Sequence, residues 1–490
     1  MIPLLQPGGD ATARKARRKD QPVEEQRSKG PGEPSPQLPR CVVAGEGSLL
    51  LYCIRVLTAK GLSLAGVVSA DPQVQAFALA GGIAVYPSPD DLPAVLPGAP
   101  VDYLFSIGSH PAMDPASLEH LQRGVVRYYD GPLPGRESLP APCEAILEGE
   151  KEYCITWHLS SPRGETGKLL LQKPVDIAPD ETALTLHAKC YEAAQAGFTD
   201  LVEALRTGTY LSLRPLGDVR PYLPSPARPA HGSIFSWHQP AETMSRLCRA
   251  LDFGPYANPV SLPKLLDAGE LLVPVGLRPL DAPSRLAPGT IVEMGETGIR
   301  IATATHDVFF SHVTTLEGAS LSPTRLHATR GWQPGYRLPQ APADYVAAVE
   351  TREAAVVPHQ AYWAAKLEKT QPTALPFAAR LPLHHDRTAP LAVVQPWPLD
   401  PTQAPPPAGE ADLCAALAAY LHRATGTPGL CIGFAEGIPA RPSAAEPAFF
   451  APLVPLHVYL EATAPFAALR QAVSRELEIV RAHQTYCRDL

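Results

Sequence analysis

The sequence predicts an α/β protein: a doubly wound, mostly parallel sheet, then a small β-barrel-like subdomain, then a partial α/β segment. Three observations predict it. Short apolar runs alternate with helical patterns from Cys41 to about residue 209, which is the signature of strands joined by crossover helices. Between 231 and 325, strand-like runs follow one another with turn signals at Gly295 and Gly298. Beyond a proline-rich stretch, a helix, a strand and a final helix close the chain.

Taken in order, residues 1–40 carry no apolar periodicity and hold eight Lys/Arg against five Asp/Glu, including the run Arg14-Lys15-Ala16-Arg17-Arg18-Lys19. They are expected to form a disordered tail. CVVAGEGSLLLYCIRVLTAKG is expected as a buried strand, a glycine turn and an amphipathic helix ending at Gly61. LAGVVSADP and VDYLFSIG supply further strands, and GVVRYYDGPLPG continues the series. A helix over PCEAILEGEKEY, the strand CITWHLSS and a long helix over TALTLHAKCYEAAQAGFTDLVEALRTG complete this layer. A proline-rich crossing follows at 215–232, and PAETMSRLCRALDFGPY gives a short helix. TIVEMGETGIRIATATHDVFFSHVTTLEG gives strands of a β-rich module over 231–325. From 390 to 407, seven of 18 residues are proline, a linker of polyproline character. LCAALAAYLHRATG is helical with Leu413, Leu417, Tyr420 and Leu421 on one face. Leu456, Val458 and Leu460 alternate as a strand, and Phe466, Leu469, Val473, Leu477 and Val480 mark a last helix. The expected division is 1–40, 41–230, 231–325, a proline-rich connector over 326–408, and 409–490.

Composition narrows the function classes. With 42 Lys+Arg against 49 Asp+Glu over 490 residues, the formal charge is −7, a poor match to the basic face of a nucleic-acid binder. An apolar share of 45% is enough for ordinary cores, no run reaches a membrane span, and the opening MIPLLQPGGD is not a signal peptide. The nine cysteines show no Cys-x-x-Cys spacing, so neither a disulfide framework nor a cysteine zinc site is expected, no metal is called for, and the compartment reads as cytoplasm. Proline, 57 of 490 residues, runs at about twice its usual ~5%. With abundant Ala and four Met this follows a genome composition bias and is set aside.

Several tempting motifs take bland readings. Gly45-Glu46-Gly47 lacks the third glycine of a dinucleotide fingerprint, since position 50 is Leu50, and reads as a tight strand–helix turn. Ser48, Ser69 and Ser106 lack the Gly-x-Ser-x-Gly context of a hydrolase nucleophile. His384-His385-Asp386 lacks an Asp at position 389, which is Ala389, and reads as loop polarity. His158 reads as a packed or surface strand histidine rather than an acid–base group.

The stretch from Gly124 to Lys173 is the informative one. Together with VVAGEGSLLLYCIRVL, VDYLFSIG, YDGPLPG, LEGEKEYCITWHL, KPVDIAPDETALTLHAKCYEAA and RALDFGPYANPVSLPKLL, it resembles the 10-formyltetrahydrofolate-dependent formyltransferases, the family of methionyl-tRNA formyltransferase. The likeness is nearest to the formylation domains that open some nonribosomal peptide synthetases. LAPGTIVEMGETGIRIATA and LEGASLSP resemble the family's C-terminal subdomain, and the matches together cover about 41–325. YWAAKLEKTQPTALPFAARL and the run ending at Leu490 resemble the condensation-like connector that follows such domains.

The resemblance implies a site and shows where this chain departs from it. The family carries Asn-x-His ahead of Asp-x-x-Leu-Pro, and an Asp-x-Gly further on; Asn and His polarise the formyl carbonyl and Asp orients the His. Here Asp130, Leu133 and Pro134 keep the anchor and stand at cofactor-binding positions. The three catalytic positions fall on Arg127, Tyr129 and Glu165, all substituted, and GRESLPAPCEAI departs from the family after Leu-Pro. Arginine offers five donors and tyrosine one, so a rewired oxyanion site is chemically conceivable. Yet the guanidinium crowds the pocket and disfavours an incoming ammonium, and Glu165 is one methylene too long. The resemblance therefore implies 10-formyltetrahydrofolate as donor and an aminoacyl-carrier amine as acceptor, with transfer impaired or lost. A non-catalytic docking module or a truncated synthetase remnant is the alternative. The implied partner is an adenylation or carrier-protein domain. Neither the Gly/Ser/Thr-rich phosphate-binding loop of an adenylation domain nor a carrier-type Gly-Gly-x-Ser is found in the sequence, whose closing α/β fragment is expected to leave a sheet edge in need of a partner.

Overall fold

A computed structural model describes residues 38–91, 100–108, 118–133, 140–160, 168–207, 228–371, 373, 409–435, 449–460 and 464–490. The basic run of the N-terminal tail, the proline-rich 390–407 run, most of the crossing at 215–232, His384-His385-Asp386, Pro134 and Glu165 lie outside the described residues.

β1 (Arg40–Gly45) is buried from Cys41 onward, as a continuous apolar run in a parallel sheet covered on both faces should be. α1 (Gly47–Ala59) buries Leu49, Leu50, Cys53, Ile54 and Leu57 at helical spacing against it. β2 (Ser63–Val68) follows, then α2 (Pro72–Ala80), which opens on Asp71: the carboxylate accepts the Gln73 N–H, and Pro72 occupies the first turn. α2 is an element beyond those expected: LAGVVSADP was expected as a strand, whereas β2 ends at Val68 and Asp71 starts a helix. β3 (Val85–Tyr86), β4 (Val101–Ile107), β5 (Leu121–Tyr129), α3 (Ala141–Glu148), β6 (Glu152–Ser160), β7 (Lys168–Asp176) and the 25-residue α4 (Ala183–Thr207) complete the layer. The seven strands run in the order β3-β2-β1-β4-β5-β6-β7. Those from β3 through β5 pair in parallel, while β6 and β7 are antiparallel. Strand order reverses beside β1, so the crevice such sheets offer to ligands lies outside the carboxyl ends of β1, β4 and β5.

The next part is antiparallel. α5 (Ala241–Ala250) packs beside β8 (Leu265–Asp267), β9 (Glu270–Val275), β10 (Arg278–Pro279), β11 (Ile291–Gly295), β12 (Gly298–Ile301), β13 (Val308–Phe310), β14 (His312–Thr315) and β15 (Ser320–Leu321). These form two four-stranded sheets, β10-β13-β12-β11 and β15-β14-β9-β8, around Phe235, Trp237, Met244, Phe310 and Trp332. The β11–β12 hairpin turns at the two glycines singled out in the sequence, and Gly298, at φ 146°, leaves no room for a Cβ against the Phe310 carbonyl.

α6 (Pro323–Arg330) straddles the start of the stretch expected as a connector, and two helices lie inside it, α7 (Ala343–Val356) and α8 (Gln360–Glu368). Beyond it come α9 (Glu410–Thr425), β16 (Gly429–Phe434), β17 (Val454–Tyr459) and α10 (Phe466–Ala482). β16 and β17 form a two-stranded antiparallel sheet. α10 buries Leu469, Val473, Leu477 and Val480 as its spacing predicts. α9 differs: Leu413, Leu417 and Tyr420 point outward, and small residues, Ala415 and Ala418, face the core. Small side chains let this helix lie close to α10 and β16, a fit that apolar periodicity alone does not reveal.

Chain-distant segments converge on one buried ionic cluster. Asp489 accepts from Arg228 at 2.7 Å and from Lys264 at 2.8 Å, and Arg228 also meets Glu353 at 3.4 Å. The Asp489 carboxylate further accepts from the Ser261 hydroxyl and the Leu262 N–H, while the Phe449 ring lies under Lys264. Lys264 and the Asp489 side chain are fully buried.

Candidate functional site

β5 organises the candidate site through its register. Arg127 lies between Ser106 of β4 and His158 of β6, and Tyr129 opposite Thr156, which in turn pairs with Gln172 of β7. Side chains alternate across a strand, so these residues share one face and form two polar rows. The other face carries Tyr128 and Trp157, whose rings lie 5.2 Å apart in the core under α4. Arg127, Tyr129 and His158 are half-buried. His158, expected as an ordinary strand histidine, is thus the direct cross-strand neighbour of Arg127.

Past Tyr129 the chain turns, and side chains hold the turn through its carbonyls. The Thr156 hydroxyl donates to the Gly131 carbonyl at 2.7 Å, and the Gln172 amide donates to Thr156 at 3.1 Å and to the Leu133 carbonyl at 3.4 Å. The Tyr153 hydroxyl donates to the Asp130 carbonyl at 2.8 Å. Leu133 is buried beneath this turn.

The Asp130 side chain turns to α4, where its carboxylate lies 3.5 Å from His187 Nε2. His187 Nδ1 is 2.6 Å from the Ala183 carbonyl, which fixes the ring with Nε2 toward Asp130. Burial pushes the Asp130 carboxyl up, and His187 partly opposes the shift. Cys143 and Cys190 flank the same carboxyl, and burial raises both thiols, Cys143 to about 12. Neutral thiols are poor nucleophiles, so cysteine catalysis does not fit this corner. Among the described residues, no group of three or more His, Cys, Asp and Glu is placed to hold a metal ion.

The glycine turn after β1 is closed to a pyrophosphate. Gly45 has φ 135°, and a Cβ there would sit 1.8 Å from the Ile107 carbonyl oxygen, so the residue serves the close approach of β1 to β4. The Gly47 N–H at the start of α1 donates to the Asp71 carboxylate at 3.0 Å. That carboxylate, held low by the N–H groups of Gly47 and Gln73, puts negative charge where a phosphate would need to sit.

The sequence singled out Arg127, Tyr129, Asp130 and Leu133, and the structure brings all four to the carboxyl end of β5. It separates Asp130 from the other polar side chains, turning it to His187. Thr156, Gln172, His187 and Asp71 went unnoticed. Only strand register and capping geometry connect them to the site, and single-residue patterns carry neither.

Known proteins supply the context for this geometry. The methionyl-tRNA formyltransferases of Burkholderia mallei (strain ATCC 23344) and Burkholderia pseudomallei (strain K96243) are each 32% identical to this chain over 189 residues, 38% of this chain and 54% of the relative. The chain thus spans about half the length of the curated relatives it matches. Among solved structures, an N-formyltransferase from Helicobacter canadensis in complex with folinic acid and dTDP-3-aminofucose superposes with a TM-score of 0.44 at 12% identity, over 56% of this chain and 99% of that one. No family model matches the chain. Over the matched segment the chain is thus similar to methionyl-tRNA formyltransferases, in line with the resemblance its motifs carry.

Proposed function

We propose that this chain is a formyltransferase-like module of nonribosomal peptide biosynthesis, acting in the cytoplasm, whose formyl-transfer site has been rebuilt so that transfer is impaired or lost. The family reaction would move a formyl group from 10-formyltetrahydrofolate to the amine of an aminoacyl-carrier substrate, with an adenylation or carrier domain as partner. The observation that carries the reading is the pair of rows Arg127–His158 and Tyr129–Thr156 at the carboxyl end of β5.

Bound there, the folate would supply a formyl carbonyl as electrophile. The donors on this face suit a carbonyl oxygen: Arg127 and Tyr129 both offer hydrogen-bond donors and share one side of the strand. Leu133 and Pro134 would border the pterin. What the face lacks at these two positions is a group that takes a proton at neutral pH, because arginine does not deprotonate and an ordinary phenol keeps its proton. The guanidinium also repels an ammonium acceptor. Losing a single tuned oxyanion donor typically costs about 10²–10³ in rate, and two positions are altered here.

Calorimetry of 10-formyltetrahydrofolate with the full chain tests this, beside the double change Arg127→Asn, Tyr129→His. Weak or absent binding by the natural sequence, with binding gained by the double change, is the expected result. Micromolar binding by the natural sequence together with formylation of an aminoacyl carrier would overturn the claim of impaired transfer.

A further inference from the structure

α9 is apolar on two sides. Inward it packs through Ala415 and Ala418. Outward, Leu413 is 63% exposed, Leu417 45% and Tyr420 68%. From Leu413 through Leu421 the helix carries no charged residue. Large apolar side chains at i, i+4 and i+7 make a stripe of the kind helices bury against partners.

The outward positions have a symmetry of their own. Glu410, Leu413, Ala416, Leu417, Tyr420 and Arg423 are all exposed. About the midpoint between Ala416 and Leu417, Glu410 mirrors Arg423 and Leu413 mirrors Tyr420. Two such helices related by a two-fold axis and laid antiparallel bring mirrored positions to the same level on either side of the contact. Each end then sets the carboxylate of one copy level with a guanidinium of the other, to be reached across the small residues Gly409 and Ala424, and the centre is wholly apolar. Glu410 and Asp412 are steadied at the acidic end by Arg481 and Arg470 of α10. At the other end, Arg423 makes no ion pair with a described residue and lines a cavity of about 350 Å³ between α9, β17 and α10, beside His422, Tyr459 and Phe466.

We propose that α9 is a self-association surface on which a second copy of this chain docks antiparallel through the same helix. One helical face per copy is a small interface, so the pair is weak, with a dissociation constant of roughly micromolar order.

Sedimentation velocity of the full chain over about 1–200 µM covers that range. The expected result is a monomer–dimer transition. Leu417→Glu weakens it at least about tenfold without moving the unfolding midpoint, because the side chain stands outside the fold. Glu410→Arg and Arg423→Glu each weaken association, and the two combined restore it, since both mirrored ion pairs re-form with exchanged sign. A chain that stays monomeric throughout overturns the proposal, even if the stripe then captures a different protein. So does a dimer indifferent to Leu417→Glu, or a charge exchange without rescue.

Discussion

Thr156 is fully buried, and its hydroxyl donates to the Gly131 carbonyl while accepting from Gln172. Valine keeps the shape but leaves a carbonyl and an amide N–H buried without that partner, so Thr156→Val should cost about 1–3 kcal/mol. Urea unfolding reads the loss, and faster hydrogen exchange confined to residues 131–133 would trace it to this turn; an unchanged midpoint would refute the role. Gly45→Ala is harsher, because its Cβ falls within covalent reach of the Ile107 carbonyl oxygen, at 1.8 Å. Thermal unfolding should show a loss of at least about 2 kcal/mol, or no folded protein. These two residues mark the limit of what sequence shows at this scale. Gly45 was legible as a tight turn because the glycine requirement is local. Thr156 was not, because its importance comes from Gly131 and Gln172, 25 and 16 residues away. The same holds for His158: nothing near it in the sequence announces Arg127 as its neighbour across β5 and β6.

α9 and α10 show what periodicity does and does not settle among elements. Both were expected as helices from apolar spacing, and both form. In α10 the large residues are the buried ones. In α9 the phase is inverted, with alanines inward and Leu413, Leu417 and Tyr420 outward. A pattern that is apolar all round has no preferred face, and the choice falls to how closely the neighbouring elements approach. The contrast is measurable by urea unfolding at protein concentrations low enough to keep copies apart. Leu477→Ala should cost about 2–4 kcal/mol by leaving a cavity, and Leu413→Ala no more than about 0.5 kcal/mol. Equal losses would mean that the outward stripe is core after all. β7 was missed for a related reason. Its run of leucines resembles either a strand or a helix flank until pairing with β6 decides.

At the scale of the whole molecule, Asp489 links segments far apart in the chain: Arg228, the Ser261–Lys264 stretch, Glu353 of α7 and Phe449. No sequence motif announces this meeting, because each member is an ordinary charged residue in its own neighbourhood. Burial alone would push the Asp489 carboxyl up, yet Lys264 and Arg228 outweigh it and hold it at about 2. A carboxyl depressed on folding stabilises the protein above its unfolded value near 3.9, and that contribution fades as pH falls through the folded value. The loss should therefore fall mainly between about pH 4 and pH 2 and amount to about 2–3 kcal/mol. Asp489→Asn removes this acid-side slope, strands the buried Lys264 ammonium and leaves Arg228 with Glu353 as its carboxylate, at a cost of about 3–5 kcal/mol near neutral pH. Burial already lowers the Lys264 ammonium, with Asp489 as its main support. Without that support the lysine sheds its proton more readily in the folded state than in the unfolded one, so the variant's stability should climb as pH rises. Unfolding midpoints for both proteins across the pH range check the two slopes together. A variant that tracks the natural sequence at every pH would show that Asp489 does not hold these segments together.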